Sequence, residues 1–248
     1  MGAARKTTMG EIQPIPTKSP AAASYPAPVS HNLNGQRLGR KGRDTRERIL
    51  AACGELLGDP EEVITMSSVA RRASLGMTSL YNYFADLTEL LLAALEPVMA
   101  TAEESYLGML REYWPDAELG VRCRDFMDAY HDFWARNSRL LHLRNTMADS
   151  HDHRLMVQRV LSTQPLIALF VAQMGGEADD MESPVRGMAT VLMTGVERTV
   201  TVATDTGLTA LFGETQRRPK DHYLQPASRM IELMLADTRV RHARGELA

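Results

Sequence analysis

From Arg43 to its end, the chain carries apolar residues at helical spacings and shows no sustained alternation of apolar and polar residues. In this stretch no Asn-Gly or Asp-Gly pair marks a two-residue hairpin. Ile49, Cys53 and Leu56 recur at intervals of four and three, which places them on one face of a helix. Because such faces must be buried against other helices, the sequence predicts an all-α fold.

The first 36 residues have a different composition. They hold five of the twelve prolines and show no helical periodicity. A segment of this kind cannot bury enough apolar surface to offset the entropy of ordering it. We therefore predict a disordered arm over residues 1–36.

Positive charge is concentrated in residues 37–48, which contain six arginine and lysine residues and two acidic ones. Because the whole chain has a net charge of −3, the remainder is acidic. This asymmetry favours an anionic partner for the N-terminal region, either nucleic acid or a membrane surface, and a solvated basic linker is the alternative.

Membrane insertion and secretion are not expected from the sequence. No run of 18 apolar residues occurs, and no apolar segment of a signal peptide follows the first basic residues. The two cysteines cannot form a disulfide framework and are typical of a reducing cytoplasm. We expect a cytoplasmic protein without a membrane partner.

Capping signals predict where the first helices begin. Asp44 and Glu47 form a possible capping box for the first helix, which Gly58-Asp59-Pro60 ends. A second helix is predicted to start at Thr65 or Ser67. A long fourth helix is predicted from Leu87, after Asp86 and with Glu89 three residues further on.

Two short helices are predicted on either side of a tight turn at Ser74-Leu75-Gly76, where Gly76 is free to take a positive φ. The later helix spans about Thr78 to Phe84. Short helices joined in this way form a helix-turn-helix, and an ordinary corner between two helices of a bundle is the alternative. The outer face favours the first interpretation, because it is polar and no acidic residue lies between Thr65 and Ala85.

The segment Thr65–Phe84, with its Leu-Tyr-Asn-Tyr-Phe end and the following Glu-Leu-Leu, resembles the DNA-binding signature of the TetR/AcrR family of transcriptional regulators. The similarity extends from about Arg43 to Glu96. It implies a helix-turn-helix domain with a basic extension over residues 37–90. It also implies a helical effector-binding and dimerisation domain over residues 91–248.

The resemblance assigns the side chains that would contact double-stranded operator DNA. Met77, Thr78 and Ser79 match base-reading positions, Ser67 begins the second helix, and the aromatic positions 81 and 83 match phosphate contacts. The basic extension would add further phosphate contacts. The complete expected set is Arg40, Lys41, Arg43, Ser67, Met77, Thr78, Ser79, Tyr81, Asn82 and Tyr83.

The chain departs from the family pattern at three positions. Ser74 stands where the family usually has glycine, and Gly76 where it has serine or threonine. Leu87 stands where a lysine beside the phosphates is common, and we expect the basic residues 37–43 to compensate for this loss.

An aromatic stripe dominates the helix predicted over residues 118–136. Its spacing is typical of core packing, and the wall of a ligand cavity is the alternative. Polar residues of the next short helix could then hold one end of a mostly apolar effector with a polar or anionic head. The candidate ligand-binding residues are Phe126, Tyr130, Phe133, Trp134, His142, Arg144 and Asn145.

Three further features of the body bear on its fold and chemistry. Pro97 predicts either a kink in the fourth helix or a break in it. His151 and His153 point about 200° apart on a helix, so a shared metal ion is not expected. Cys123, between Arg122 and Arg124, could have a lowered pKa, but no partner base is apparent.

Two long helices, about 181–204 and 222–242, close the chain. The resemblance implies that they pair with their copies to form a homodimer, as two DNA half-sites require. No nucleophile elbow, zinc-protease, P-loop or dinucleotide motif is present, so neither an enzyme nor a bound cofactor is expected. Our interpretation is a repressor that a small molecule releases from DNA. The alternative is an all-α ligand carrier or scaffold that does not bind DNA.

Overall fold

The computed structural model describes residues 31–33, 35–207 and 219–247. These residues form α-helices and contain no β-strand, only an isolated bridge between His31 and Arg37. The all-α prediction is confirmed. Most of the predicted arm, residues 1–30, lies outside the described residues.

In chain order the helices are α1 (Arg40–Gly58), α2 (Met66–Arg72), α3 (Met77–Tyr81), α4 (Leu87–Ala100), α5 (Ala102–Ser105), a 3-10 turn (Leu107–Leu110), α6 (Leu119–Arg136), α7 (Ser138–Asp149), α8 (His153–Gln173), α9 (Pro184–Ala203) and α10 (Asp221–Ala243). Helices α1–α3 form a small head, and α5–α10 form a larger body. Helix α4 contacts both parts.

Each part has its own apolar core. The head core is built by one face of α1 together with Val69, Leu80 and Phe84, all of which are buried. The body core contains the aromatic stripe of α6 and the inner faces of α8, α9 and α10. Leu57 and Leu87 pack against both cores, so the head is continuous with the body.

The first helix begins earlier than predicted. Helix α1 starts at Arg40 with Gly39 as its N-cap, so the expected capping box of Asp44 and Glu47 is wrong. Leu38 is buried just before the helix and anchors this end. Arg40, Lys41 and Arg43, which precede the predicted start of the first helix, are therefore helical.

The other two capping predictions are largely confirmed. Thr65 caps α2 and forms a capping box with Ser68. Asp86 caps α4 by accepting from the Glu89 N–H at 2.9 Å, while the Glu89 carboxylate reaches back to the Ala85 N–H at 2.7 Å. Helix α4 runs through Pro97 to Ala100, so it does not end and restart at the proline.

The turn between α2 and α3 differs from its prediction. Ser74, not Gly76, has the positive φ, at +53°, whereas Gly76 has φ −73° and caps α3. The Leu75 N–H donates to the Ala70 carbonyl and the Ser74 N–H to the Arg71 carbonyl. This is a Schellman motif, in which the residue after the C-cap takes the left-handed conformation that glycine adopts without strain. Helix α3 also ends at Tyr81, three residues earlier than predicted.

Ser74→Gly is expected to raise the free energy of unfolding by about 0.5–1 kcal/mol, because it removes the Cβ penalty of the left-handed conformation at a smaller entropic cost. Urea unfolding followed by circular dichroism measures this difference. Ser74→Ala keeps the Cβ and should not gain stability. Equal stability of the glycine and alanine variants would contradict the strain assigned to Ser74.

By length and composition alone, one helix of the described residues, α8, could span a membrane. In the body this helix packs against α7 and α9, and it carries Arg159 in its second turn. Its apolar face is only partly covered, with Val160 and Leu161 more than half exposed. Its apolar composition is therefore also explained by an apolar face on a helix of the bundle, and not only by a membrane span.

Candidate functional site

Helix α3 presents a polar surface to solvent. Leu80 is fully buried and anchors the helix, so Met77, Thr78, Ser79 and Tyr81 lie on the exposed side. Asn82 and Tyr83 follow the helix and are half-buried. The predicted base-reading residues are therefore all accessible on one short helix.

Helix α2 supports this surface and adds Ser67 near its exposed N-terminal end. The Ser67 Oγ lies 3.0 Å from the Thr65 Oγ1, within the capping network of the helix. The positive charges of α2 are paired: Arg71 lies 3.5 Å from Glu62, and Arg72 lies 3.4 Å from Glu55. Helix α2 therefore contributes hydroxyl and backbone groups, and the unpaired positive charge comes from elsewhere.

That charge comes from the first turn of α1, where Arg40, Lys41 and Arg43 are exposed. The Arg43 guanidinium donates to the Leu38 carbonyl at 3.3 Å, which holds the segment against the head. Further along α1, the Arg46 guanidinium lies 5.2 Å from the ring centroid of Phe84, three residues after the end of α3. Helical geometry thus fixes the basic run to the same domain as α3.

Residues 31–33 and 35–37 fold back on each other beside α3. The Leu33 N–H donates to the Asn82 carbonyl at 3.0 Å, and the Gln36 N–H donates to the Asn32 side chain at 2.9 Å. The end of the predicted arm therefore contacts the polar surface. The signal that could have revealed this turn is the Asn-Gly pair at positions 34 and 35, because glycine there adopts φ +73°.

Polar contacts from one side chain of α7 join the body to the head. The Arg139 guanidinium donates to the backbone carbonyls of Leu56, Asp59 and Glu62, at the end of α1 and in the loop that follows. The Leu56 contact is 2.6 Å. One side chain of α7 thus holds the α1–α2 connection.

A second polar contact joins the start of α4 to the start of α8. The Arg154 guanidinium lies 2.7 Å from the Asp86 carboxylate, and the Thr88 hydroxyl donates to Asp152, which caps α8. These partners lower the pKa of both carboxyl groups. His151 and His153, considered above as metal ligands, lie beside this cap.

The aromatic stripe of α6 is buried in the body. Tyr130, Phe133 and Trp134 line a small, partly enclosed chamber of about 20 Å³, which is room for about one water molecule. Phe126 does not reach the chamber. It packs against Phe170, with ring centroids 5.4 Å apart, and belongs to the core.

The polar residues of α7 lie in different environments. Arg144 and Asn145 are buried on the inner side of the helix rather than at a cavity mouth, and Arg144 lines the chamber. His142 is half-buried, with one ring nitrogen 3.1 Å from the Thr204 Oγ1, and burial lowers its pKa. Its ring lies 6.0 Å from that of Trp134.

A buried carboxylate that the sequence analysis missed completes this cluster. Glu197 of α9 lies 3.5 Å from Arg144 and 3.3 Å from Arg159 of α8, and it accepts from Asn145 at 3.4 Å. Ser162 accepts from Arg144 at 3.3 Å. Arg144, Arg159 and Glu197 are 15–53 residues apart, so no local spacing could have revealed that they converge.

Cys123 differs from its prediction. Burial raises its pKa to about 12, and Glu232 adds to the shift, so the expectation of a lowered pKa is wrong. Its neighbours Arg122 and Arg124 lie about 100° away on either side of the helix and do not share its buried position. Burial likewise raises the pKa of Cys53 to about 11.

Further open spaces lie outside the chamber in the described part of the chain. A groove of about 260 Å³ between α7, α8 and α9 is lined by Met156, Arg159 and Val160, and it shares Thr163 and Glu197 with the chamber. A cleft of about 540 Å³ lies between head and body, beside Pro97 and Arg139.

Helices α9 and α10 expose an apolar face. Val191 is 66% exposed and Leu233 is 52% exposed, and Met188 and Met230 line a shallow groove nearby. A Cβ at Gly195 would lie 3.3 Å from the Met230 side chain, so α9 approaches α10 closely there. Gly187 faces open space.

Solved structures share this architecture. A TetR family transcription regulator from Marinobacter aquaeolei VT8 superimposes with a TM-score of 0.50 at 19% identity, over 79% of this chain and 98% of that one. The chain has the fold of a TetR-family regulator. A TetR-like transcriptional regulator from Rhodococcus sp. RHA1 is similar over 84% of this chain and 100% of that one, with a TM-score of 0.49 and 16% identity. No protein-family model matches the sequence, and no curated protein is similar enough to match.

Within the TetR fold, the surface around α3 is the candidate DNA-binding site, and the chamber beside α7 is the candidate effector site. The residues predicted to contact DNA lie in the head, and their role stays a prediction. Of the residues predicted to bind a ligand, Tyr130, Phe133, Trp134 and Arg144 line the chamber, whereas Glu197, which also lines it, was not predicted.

Proposed function

We propose that the protein is a DNA-binding transcription regulator of the TetR family, acting as a homodimeric repressor that a small molecule releases from its operator. The observation that carries this proposal is the surface around α3, where exposed hydroxyl and thioether side chains lie on a short helix without an acidic residue, next to the half-buried amide of Asn82. Such groups suit contacts with base edges and phosphates. A function on DNA also agrees with the cytoplasmic location expected from the cysteines.

The basic first turn of α1 favours DNA over a ligand carrier. Arg40, Lys41 and Arg43 lie on the head, apart from the chamber and grooves of the body. A carrier has no use for a charged surface there, whereas a DNA-binding head gains affinity from each phosphate that it neutralises. The carrier alternative predicts no retention on duplex DNA. The regulator predicts retention that falls steeply with salt.

Substitutions on α3 test the assignment of individual contacts. Ser79→Ala is expected to change base preference at one position of each half-site, by about 1–3 kcal/mol if Ser79 makes a good base contact. Tyr81→Phe is expected to weaken binding to all sequences equally, because phosphate contacts carry no base information. Fluorescence anisotropy on a panel of single-base operator variants measures both effects.

Thr190→Ala is a matched control, because Thr190 is exposed on α9, away from the head. It should leave both affinity and base preference unchanged. If Ser79→Ala and Tyr81→Phe behave like this control, α3 does not read DNA.

The exposed apolar face of α9 and α10 supports the homodimer. Contiguous exposed apolar surface on a helical protein marks an interaction site. The two last helices carry this face side by side, so a two-fold copy would bury Val191 and Leu233. Two heads would then bind two half-sites one helical turn, or a multiple of it, apart.

Helix α7 supports control by a ligand. It carries Arg139, which holds the α1–α2 connection, and Arg144, which lines the chamber five residues later. A chamber of about 20 Å³ is far smaller than the space a bound small molecule requires. A ligand entering there must therefore favour a different arrangement of α7, and such differential affinity is what releases DNA.

A further inference from the structure

The segment that precedes α1 is fixed on the head at both of its ends. The Leu33 N–H donates to the carbonyl of Asn82, the C-cap of α3, at 3.0 Å. At the other end, Leu38 is only 5% exposed and is followed directly by the start of α1. We call residues 31–33 and 35–37 the N-terminal turn. Because both ends are fixed, this turn has a defined place beside the polar surface of α3.

Hydrogen bonds within the N-terminal turn set its shape. The Asn32 N–H donates to the Gln36 carbonyl, and the Gln36 N–H donates back to the Asn32 side chain, both at 2.9 Å. Gly35 takes φ +73°, a conformation that other residues adopt only under strain. His31 and Arg37 form an antiparallel bridge, so their side chains lie on the same face. The turn is therefore formed before any partner binds.

The N-terminal turn and the start of α1 carry positive charge only. Residues 31–43 contain four arginine and lysine residues and one histidine, but no acidic residue. Arg37 is exposed, and the nearest acidic residue in the sequence, Asp44, is seven positions away on α1. Arg37 is therefore placed to meet an anionic partner.

The position of the turn relative to α3 indicates which part of the DNA it meets. In the proposed complex α3 lies in the major groove, where residues at its start read bases. Tyr81 and Tyr83, at its other end, contact the phosphates that border this groove. The N-terminal turn lies past that end, beside Asn82. On B-DNA the minor groove lies on the other side of the phosphates that border the major groove.

We propose that the N-terminal turn places Arg37 in the minor groove that flanks each half-site, and that it thereby favours A·T base pairs there. Runs of A·T pairs narrow the minor groove and strengthen its negative potential, which attracts arginine. The minor groove distinguishes A·T from G·C pairs but hardly A·T from T·A, so composition is read and not an exact sequence. This inference rests on the proposed function and deepens it by adding a specificity determinant outside α3.

The test uses the full-length protein and duplexes that share the half-sites of one selected operator. They differ only in about four base pairs on either side of each half-site, which are all A·T in one duplex and all G·C in the other. Fluorescence anisotropy is expected to show at least 10-fold tighter binding to the duplex with A·T flanks. A turn that contacts only phosphates predicts equal binding, because phosphates carry no base information.

Arg37→Ala is expected to reduce the preference for A·T flanks to less than 2-fold, without changing base preference within the half-sites. Arg37→Lys should keep only part of the preference, because the ammonium group is more strongly hydrated than a guanidinium. Gly35→Val should also reduce the preference, although it removes no charge, because a β-branched residue opposes a positive φ. These variants should fold, since the turn lies outside both apolar cores.

Arg124→Ala, at an exposed arginine of α6, is the control and should keep the wild-type preference. Equal binding of the wild type to both duplexes, a full preference retained by Arg37→Ala or by Gly35→Val, or an equal loss on both duplexes from Arg37→Ala would each overturn the inference. Ser79→Ala, measured with single-base variants of the half-sites, tests the proposed function separately. If Ser79→Ala changes base preference while the flanks are bound equally, only this inference fails. If neither duplex is bound, both fail.

Discussion

Leu233→Glu is expected to convert a dimer into a monomer and to lower operator affinity by about 10²–10⁴-fold. The side chain is half exposed in the single chain, so the variant should fold, but pairing of two copies would bury a carboxylate in an apolar interface. A monomer binds one half-site and loses the effective concentration that links the two heads. Light scattering gives the mass, and anisotropy on an operator with both half-sites gives the affinity.

Val121→Glu is the matched control for this prediction. Val121 is 51% exposed, on α6 and outside the face of α9 and α10. It should leave mass and affinity unchanged. A dimeric Leu233→Glu variant with wild-type affinity would mean that the chain does not assemble through its last two helices.

Arg139→Ala is expected to loosen the head from the body. The guanidinium donates to three backbone carbonyls at the end of α1 and in the following loop, and hydrogen bonds to a charged group contribute about 1.5–3 kcal/mol each. We expect amide hydrogen exchange in residues 56–66 to accelerate at least 10-fold. Mass spectrometry of the exchanged protein measures this, and an effector found by screening should release DNA less effectively from the variant.

Arg136→Ala is the control for this effect, because Arg136 is exposed at the same corner and donates to none of these carbonyls. Its exchange should match that of the wild type. If Arg139→Ala also matches, α7 does not hold the α1–α2 connection, and the coupling must pass through α4.

The head could be predicted because the residues that define its helices lie close together in the sequence. Thr65, Leu80 and Phe84 lie within one short segment, and capping and helical spacing fix their roles. The turn was harder: whether Ser74 or Gly76 takes the positive φ depends on where α2 ends. That end is set by hydrogen bonds to Ala70 and Arg71 and not by residue preference.

The candidate effector site was only partly predictable, because its residues come from distant positions in the sequence. The spacing of the aromatic stripe could not distinguish Phe126, which is core, from Trp134, which lines the chamber. Glu197 sits in a helix whose pattern is that of ordinary packing. The same applies to Cys123, whose pKa is governed by burial in the fold and not by the arginines beside it in sequence.

Selection of bound sequences from random duplex DNA tests the central claim most directly. The full-length protein should enrich an inverted repeat whose half-sites are separated by one helical turn or a multiple of it, at a salt concentration where non-specific binding is lost. Ser79→Ala should enrich a repeat that is altered at one position of each half. Sequences no different from the input pool would show that the surface around α3 is not a reader of DNA, and the protein would then be a helical ligand carrier.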